Sequence, residues 1–188
     1  MNEYYSNIKI PDDIEGELST LIFKGANEKA THLISFSTKS SESLAEFKES
    51  LSGPDWDIYS AELLKNIESE YAFAGNETFS IFINDGLPEH TIFQAWTYKV
   101  KDVTNFTNAF KKLLKTIQPH GFMGIGDVVH GSDGENVRIF KTYADLSQTF
   151  EFGTKNDIEK TAYALFYKEI SEETLDRNFT RKLITRFK

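Results

Sequence analysis

The stretch from His90 to Tyr143 constrains this chain most, because four consecutive elements can be read there with period, cap and turn intact. From Ile92 to Val100 the side chains alternate: Ile92, Gln94, Trp96, Tyr98 and Val100 share one face, and Phe93, Ala95, Thr97 and Lys99 the other. Both faces are mostly apolar, which places this strand inside a sheet rather than at its edge. Asp102 is suited to cap the helix that follows. Phe106, Ala109, Phe110, Leu113, Leu114 and Ile117 make one stripe along it, Lys111, Lys112 and Lys115 stay wet, and Pro119 ends it. A strand from Phe122 to His130 then meets another from Val137 to Tyr143 across Gly131-Ser132-Asp133-Gly134, where Asp-Gly supplies the positive φ that a tight hairpin needs. Strand, helix, strand, strand in that order predicts an α+β domain, one antiparallel sheet with helices on one face.

Upstream, Tyr4 to Ile10 reads as a short strand or arm that breaks at Pro11-Asp12-Asp13. Leu18 to Lys24 and His32 to Thr38 read as a hairpin turning at Gly25 to Lys29. A helix capped by Ser40 or Ser41 then carries Leu44, Phe47 and Leu51, and a second one from Asp55 carries Trp56, Tyr59, Leu63, Ile67 and Tyr71. Thr78 to Asn84 alternates as a strand. Downstream of Asp145 the pattern predicts a short helix or turn and a longer helix over Asp157 to Ile170, with Ile158, Ala162, Leu165, Phe166 and Ile170 facing inward. A last strand, Thr180 to Phe187, is expected at a sheet edge, because Arg181, Lys182, Arg186 and Lys188 would protect it from pairing with other chains.

Composition removes whole classes of function. With 29 acidic against 21 basic residues the net charge is −8, which opposes the counterion release behind general nucleic-acid binding, so nucleic acid is not an expected partner. The chain has no Cys, hence no disulfide framework, thiolate metal site or Cys nucleophile. No apolar run approaches the ~18 residues of a membrane helix, and MNEYYSNIKIPDDIEGE has neither a basic leader nor an apolar signal core; the expectation is a cytoplasmic protein with no membrane partner. The 16 Phe, 8 Tyr and 2 Trp suffice for one substantial core or two modest ones.

Laying residue 16 on residue 121 without gaps matches Gly16 with Gly121, Ile34 with Ile139, Glu46 with Glu151 and Phe47 with Phe152. Hairpin, short helix, longer helix and final strand recur in the same order, which predicts a duplication. On this reading residues 1–15 are an N-terminal arm, 16–86 a first, incomplete repeat, and 87–188 a second repeat with ferredoxin-like layout. TIFQAWTYKV, the FTNAFKKLLKTI helix and the HGFMGIGDVVHG hairpin resemble the dimeric α/β-barrel superfamily, in which two ferredoxin-like sheets face each other. The resemblance implies that fold, with the two sheets here supplied by the two repeats of one chain. The superfamily includes cofactor-free antibiotic-biosynthesis monooxygenases, haem-degrading enzymes, isomerases and stress-responsive proteins. No motif matches residue by residue, so no catalytic residue carries over.

In such a fold helices cover one face of the sheet, and a ligand is expected on the other, between the sheets. Gln94, Trp96, Tyr98 and Asp127 are polar or amphipathic groups in apolar strands, suited to orient a ligand or to be satisfied core groups. Gly124 and Gly126 clear side-chain bulk from one face, for a ligand or for a large neighbour such as Phe140. His120 and His130 flank one strand and lie some ~33 Å apart, too far to share an ion. His90 and His120 are expected about 10 Å apart at one rim, near Glu89 and Asp145, as a polar cluster. No metal is assigned, and no cofactor: the helices of the second repeat carry no His for haem, and no phosphate loop, EF-hand or serine-hydrolase elbow is present. Two readings remain open. One is a non-catalytic α/β-barrel protein that binds a small apolar molecule or a protein partner, in a stress setting; the other is a cofactor-independent monooxygenase or isomerase using the inter-sheet cleft. An assembly role, with a second copy as homodimer partner, is the third class.

Overall fold

The computed structural model describes residues 2–25, 29–66, 72–83, 86 and 89–187. In chain order the elements are α1 (Asn2–Asn7), β1 (Glu15–Lys24), β2 (His32–Ser37), α2 (Ser41–Ser50), α3 (Pro54–Leu64) and β3 (Ala74–Ile83), followed by β4 (Ile92–Lys99), α4 (Val103–Ile117), β5 (Gly121–His130), β6 (Val137–Tyr143), α5 (Leu146–Phe150), α6 (Asp157–Glu169) and β7 (Thr174–Phe187). The protein is a mixed α+β fold, and its strands are hydrogen-bonded in the order β2-β1-β7-β4-β6-β5-β3. It divides into two compact units. Unit 1 comprises Met1–Ile22, Ala26–Glu70 and Arg181–Lys188, and unit 2 comprises Phe23–Gly25 and Tyr71–Thr180.

Unit 1 is a ring-rich core laid on the β1–β2 hairpin. Gly16 lies opposite Phe36 and Leu18 opposite Ile34, so these four share one face. That face carries Phe47 of α2 and Tyr59 of α3, with Tyr4 and Tyr5 of α1 closing the cluster. Tyr4 stacks on Tyr59 at 4.3 Å between centroids, and Phe36 meets Phe47 edge-on at 5.1 Å. The expected strand over Tyr4 to Ile10 is a helix instead. An isolated six-residue helix is marginal in water; the two tyrosine rings packed into the core hold this one. Ser40 caps α2 by accepting from the Ser43 amide, as its position before the apolar stripe suggested. The turn residues 26–28 and the helix positions Ile67 and Tyr71 lie outside the described residues.

Unit 2 is built on β4, the strand the sequence marked as central. It pairs antiparallel with β6, Ile92 opposite Tyr143 through Tyr98 opposite Val137, and β6 pairs in turn with β5. Asp102 caps α4 through the Asn105 amide, and Gln118 ends it in the left-handed region with Pro119 next. Phe106 and Phe110 of α4 are buried with Leu113 and Leu114 against Tyr98, Met123, Ile125, Val137 and Ile139. At ~1.5–3 kcal/mol for each large apolar side chain taken out of water, this layer is the principal stabilising contact of the unit.

Three expectations need correction. The last strand is interior: β7 lies between β1 and β4, and starts at Thr174 rather than Thr180. Its basic residues are not edge protection, since Arg181 is buried against Glu17 at 3.0 Å and donates to the Ser19 and Ser35 hydroxyls, while Arg186 also reaches Glu17. The strand at the edge of unit 2 is β3, with bulges between Ala74 and Gly75 and between Glu77 and Phe79, a usual way of spoiling an edge. In α6 the inward stripe is Ala162, Tyr163, Phe166 and Ile170, whereas Ile158 and Leu165, seven residues apart on the neighbouring stripe, are exposed.

The bulged edge explains a glycine. A Cβ at Gly126 would stand 2.2 Å from the Asn76 carbonyl oxygen of β3, a backbone atom that cannot rotate away. At Gly124 the nearest atoms belong to the Phe140 ring at 2.6 Å, with the Phe79 carbonyl at 2.9 Å. We expect Gly126→Ala to destabilise the protein by about 1–3 kcal/mol or more in urea denaturation, and Gly124→Ala by less, because a ring gives way where a main chain does not. Equal losses, or the reverse order, would show that β3 yields at Asn76.

Several phenols are carried into the two cores. Burial raises the pKa of Tyr5, Tyr143 and Tyr163, and pushes Tyr98 up to about 12, with Tyr167 adding to the rise. Up to about pH 10 folded and unfolded chains hold these protons alike, so they contribute no pH dependence. Above it the unfolded chain ionises first, and stability falls as pH rises. Absorbance at 295 nm should therefore titrate in two stages, exposed tyrosines near pH 10 and the buried set only as far-UV ellipticity collapses. A single smooth transition near pH 10 with ellipticity unchanged would contradict the burial.

Candidate functional site

Unit 2 contains a cavity of about 600 Å³ between its sheet and its helices. Its floor draws on three rungs of the sheet: Tyr98 from one, Trp96 beside Ile139 from the next, and Met123 from the third. Phe110 and Leu113 of α4 form one wall, and Tyr163, Phe166, Tyr167 and Ile170 of α6 another. The segment between α5 and α6 contributes Phe152, Gly153 and Thr154, and Ser171, Glu173 and Leu175 stand where α6 passes into β7. Tyr167 and Leu175 are exposed, which puts the mouth at that end.

The local sequence explains the walls. The α4 stripe ends in Ile117, so the layer over β4 and β6 is completed by α6, whose inward positions are tyrosine and phenylalanine. These rings touch in sequence: Trp96 and Phe152 at 6.1 Å, Phe152 and Tyr163 at 6.4 Å, Tyr163 and Tyr167 at 6.2 Å. The ring-lined part is therefore apolar in its faces and polar at phenol and indole edges, while Thr154, Ser171 and Glu173 add hydroxyls and a carboxylate. The raised Tyr98 and Tyr163 pKa values keep those phenols protonated, so they act as neutral donors over the working pH range.

One rung beyond the Trp96–Ile139 pair, Gln94 lies opposite Lys141, and Lys141 lies opposite Met123 on its other side. Lys141 is buried, with 4% of its surface exposed. Its ammonium donates to the His120 carbonyl and stands 4.6 Å from the Tyr143 ring centre and 5.5 Å from that of Phe152. The Tyr143 hydroxyl donates to Gln94 Oε1 at 2.9 Å, and its ring meets Phe152 edge-on at 5.9 Å. Phe152 thus borders both the cavity and a polar cluster of Gln94, Lys141 and Tyr143.

The structure divides the residues singled out from sequence. Trp96 and Tyr98 line the cavity, and Gln94 lies a rung away on the same face. Asp127 does not join them: it pairs with Val137 and Asn76 near the end of the ladder, where its carboxylate accepts from Thr78. Gly124 and Gly126 are on the opposite face, against the Phe140 ring and the β3 backbone. A ligand was expected on that face; there Phe140 stacks between Phe93 at 6.1 Å and Phe122 at 5.5 Å, and the cavity lies on the helix side. At the rim, His90 accepts or donates with the Thr142 hydroxyl at 3.0 Å and packs against Gly121, next to His120. Asp145 caps α5, and hydrogen bonds from the Ser147 hydroxyl and the Gln148 amide hold its carboxyl below the ordinary range. Among the described residues, no three His, Cys, Asp or Glu side chains gather as a metal site. Lys141 and Phe152 were missed. The signal was present, a lysine on the same face of β6 as Val137, Ile139 and Tyr143, but it was hidden by reading the strand only for its turn.

No helix among the described residues is long and apolar enough to cross a membrane. No protein-family model matches the chain, and no curated protein does. Solved structures do. An anthrone oxidase-like protein superposes over 98% of this chain and 82% of its own, with a TM-score of 0.58 at 9% identity. A structure described as a "putative monooxygenase from Lactobacillus acidophilus NCFM" superposes over 98% of this chain and 85% of its own, with a TM-score of 0.57 at 15% identity. At these identities the likeness is one of fold, a mixed α+β arrangement on an antiparallel sheet.

Proposed function

We propose that unit 2 binds a small, planar, largely apolar molecule in the cavity between its sheet and α4 and α6. The observation that carries this reading is a space of about 600 Å³ bordered by seven aromatic side chains: Trp96, Tyr98, Phe110, Phe152, Tyr163, Phe166 and Tyr167. That volume is in the ordinary range for small-molecule sites, and rings favour flat ligands through offset stacking and edge contacts. The phenol and indole donors among them would fix the orientation of a carbonyl or hydroxyl on the ligand.

The accompanying fold reading is of two ferredoxin-like repeats of the α/β-barrel kind, the first without its opening strand. The order β7-β4-β6-β5 supports it for the second repeat. So does the pairing of each hairpin with the last strand of the other repeat, β5 with β3 and β1 with β7. The hairpins differ by one side-chain step. Lys141 lies opposite Met123, whereas its counterpart Phe36 lies opposite Gly16 instead of Leu18, a two-residue shift that keeps every side chain on its face.

The likeness to an anthrone oxidase-like protein and to a protein described as a monooxygenase favours a second reading, that the bound molecule is oxidised. The reaction class is oxidation of an activated ring methylene by dioxygen, in which CH2 and O2 become C=O and H2O. Deprotonation gives a delocalised carbanion, which the neutral donors of the site would stabilise as its enolate form.

Titration calorimetry with 2-methylnaphthalene tests binding. Trp96→Ala should weaken it at least tenfold, about 1.4 kcal/mol, while Trp56→Phe, in unit 1, should leave it unchanged. Absence of binding, or a Trp96→Ala variant that binds as the parent does, ends the reading. Oxygen uptake with anthrone, and growth of the anthraquinone absorbance above the uncatalysed rate, tests the oxidation separately.

A further inference from the structure

We propose that Lys141 is the anion-binding end of this cavity: the ligand is a planar aromatic molecule bearing an ionised oxygen, and it reaches the Lys141 ammonium when the Phe152 ring moves aside. The proposal rests on the cavity reading above and specifies its ligand class.

Four observations carry it. Lys141 follows the Trp96–Ile139 rung that floors the cavity, about 7 Å further along β6, and its neighbour across β5, Met123, is itself a lining residue. It projects on the same face as Ile139, one rung beyond the lining residues Trp96 and Ile139 and opposite the lining residue Met123. Second, a 4% exposed ammonium in such a layer has given up most of its hydration, and an anionic oxygen would interact with it far more strongly than at a surface. Third, one side chain, Phe152, lies beside the cation and also lines the cavity. Phe152 stands 5.5 Å from the ammonium, borders the cavity itself, and sits outside both α5 and α6, where a ring can swing without breaking a helix.

The fourth observation is a comparison within the chain. At the aligned position of the first repeat stands Phe36, half-buried and packed edge-on against Phe47, the counterpart of Phe152. Where that place in the layer needs only to be filled, a ring fills it. The second repeat puts a cation there and supports it: the His120 carbonyl accepts from it, the Tyr143 face lies beneath it, and Gln94, opposite it, is fixed by the Tyr143 hydroxyl. Gln94 and Lys141 together then present an amide and an ammonium to an entering oxyanion.

The test compares two probes of like size, 2-naphthoate and 2-methylnaphthalene, by titration calorimetry at pH 7 on the full chain. The native protein should bind 2-naphthoate at least tenfold more tightly. Lys141→Met should bind the two within about twofold and keep its affinity for 2-methylnaphthalene, and Lys141→Arg should retain the preference. The Met variant removes a buried charge but also the donor to the His120 carbonyl, so its melting temperature is measured beside binding to show that it is folded. Phe152→Ala should speed association of 2-naphthoate without abolishing the preference. If 2-methylnaphthalene binds and 2-naphthoate binds no better, or if Lys141→Met keeps the preference, the anion site is overturned while the apolar cavity stands. If neither probe binds, both readings fall together.

Discussion

The contact on which unit 2 depends is the burial of the α4 stripe on the helix-facing side of β4, β5 and β6. Phe106 and Phe110 are almost wholly removed from water there, and with Leu113 and Leu114 they fix how far the helix stands above the sheet. Interiors pack to crystal-like density, so an empty space of ligand size beside so close-packed a layer needs a cause. The cause is the change of helix. Where α4 gives out, cover passes to α6 and the short segment before it, and their large rings pack on one another, Phe152 edge-on to Tyr163 and Tyr163 stacked on Tyr167. Tyr163 and Tyr167 carry hydroxyls that resist full burial, which keeps this end of the layer open while the α4 end closes.

Much of this frame is written locally. The alternation from Ile92 to Val100, the Asp102 cap and the Pro119 stop each act over a few residues, and each appears where the pattern puts it. Features that depend on distant partners are not legible in the same way. Arg181 and Arg186 read as edge protection because nothing near them in sequence shows Glu17 or Ser19, which lie over 160 positions away and meet them only through the β1–β7 pairing. The six residues of α1 read as a strand because tyrosines favour strands; only the packing of Tyr4 on Tyr59 and Tyr5 among Phe36, Tyr59 and Phe187 makes a helix there worthwhile.

The candidate site was legible in the same uneven way. Trp96 and Tyr98 stood out as amphipathic groups in an otherwise apolar strand, and both reach the cavity. The choice of face went the other way because alternation says which residues share a side and not which side the helices take. Gly124 illustrates the point. Its lost side chain was compatible with a ligand or with Phe140, and the ring is what occupies the space, stacked with Phe93 and Phe122. A glycine next to an alternating strand marks close approach, whatever it is that approaches.

Electrostatics narrows what the cavity suits. Burial raises the Tyr98 and Tyr163 pKa values, so these phenols offer hydrogens and no charge, and Glu173 brings a carboxylate to the end of the cavity where α6 passes into β7. A buried ammonium one rung beyond Trp96 and Ile139 would interact strongly with an anionic group brought to it, because the interaction of charges grows as the surrounding dielectric falls. A neutral apolar ligand would gain area from the rings and nothing from the charge of Lys141, which keeps its bond to the His120 carbonyl. A ligand whose oxygen becomes negative, whether at rest or on loss of a ring proton, gains from both ends at once. On the proposed reading the cation would link binding to chemistry: the group that holds an ionised oxygen in the complex would also stabilise an enolate as it forms.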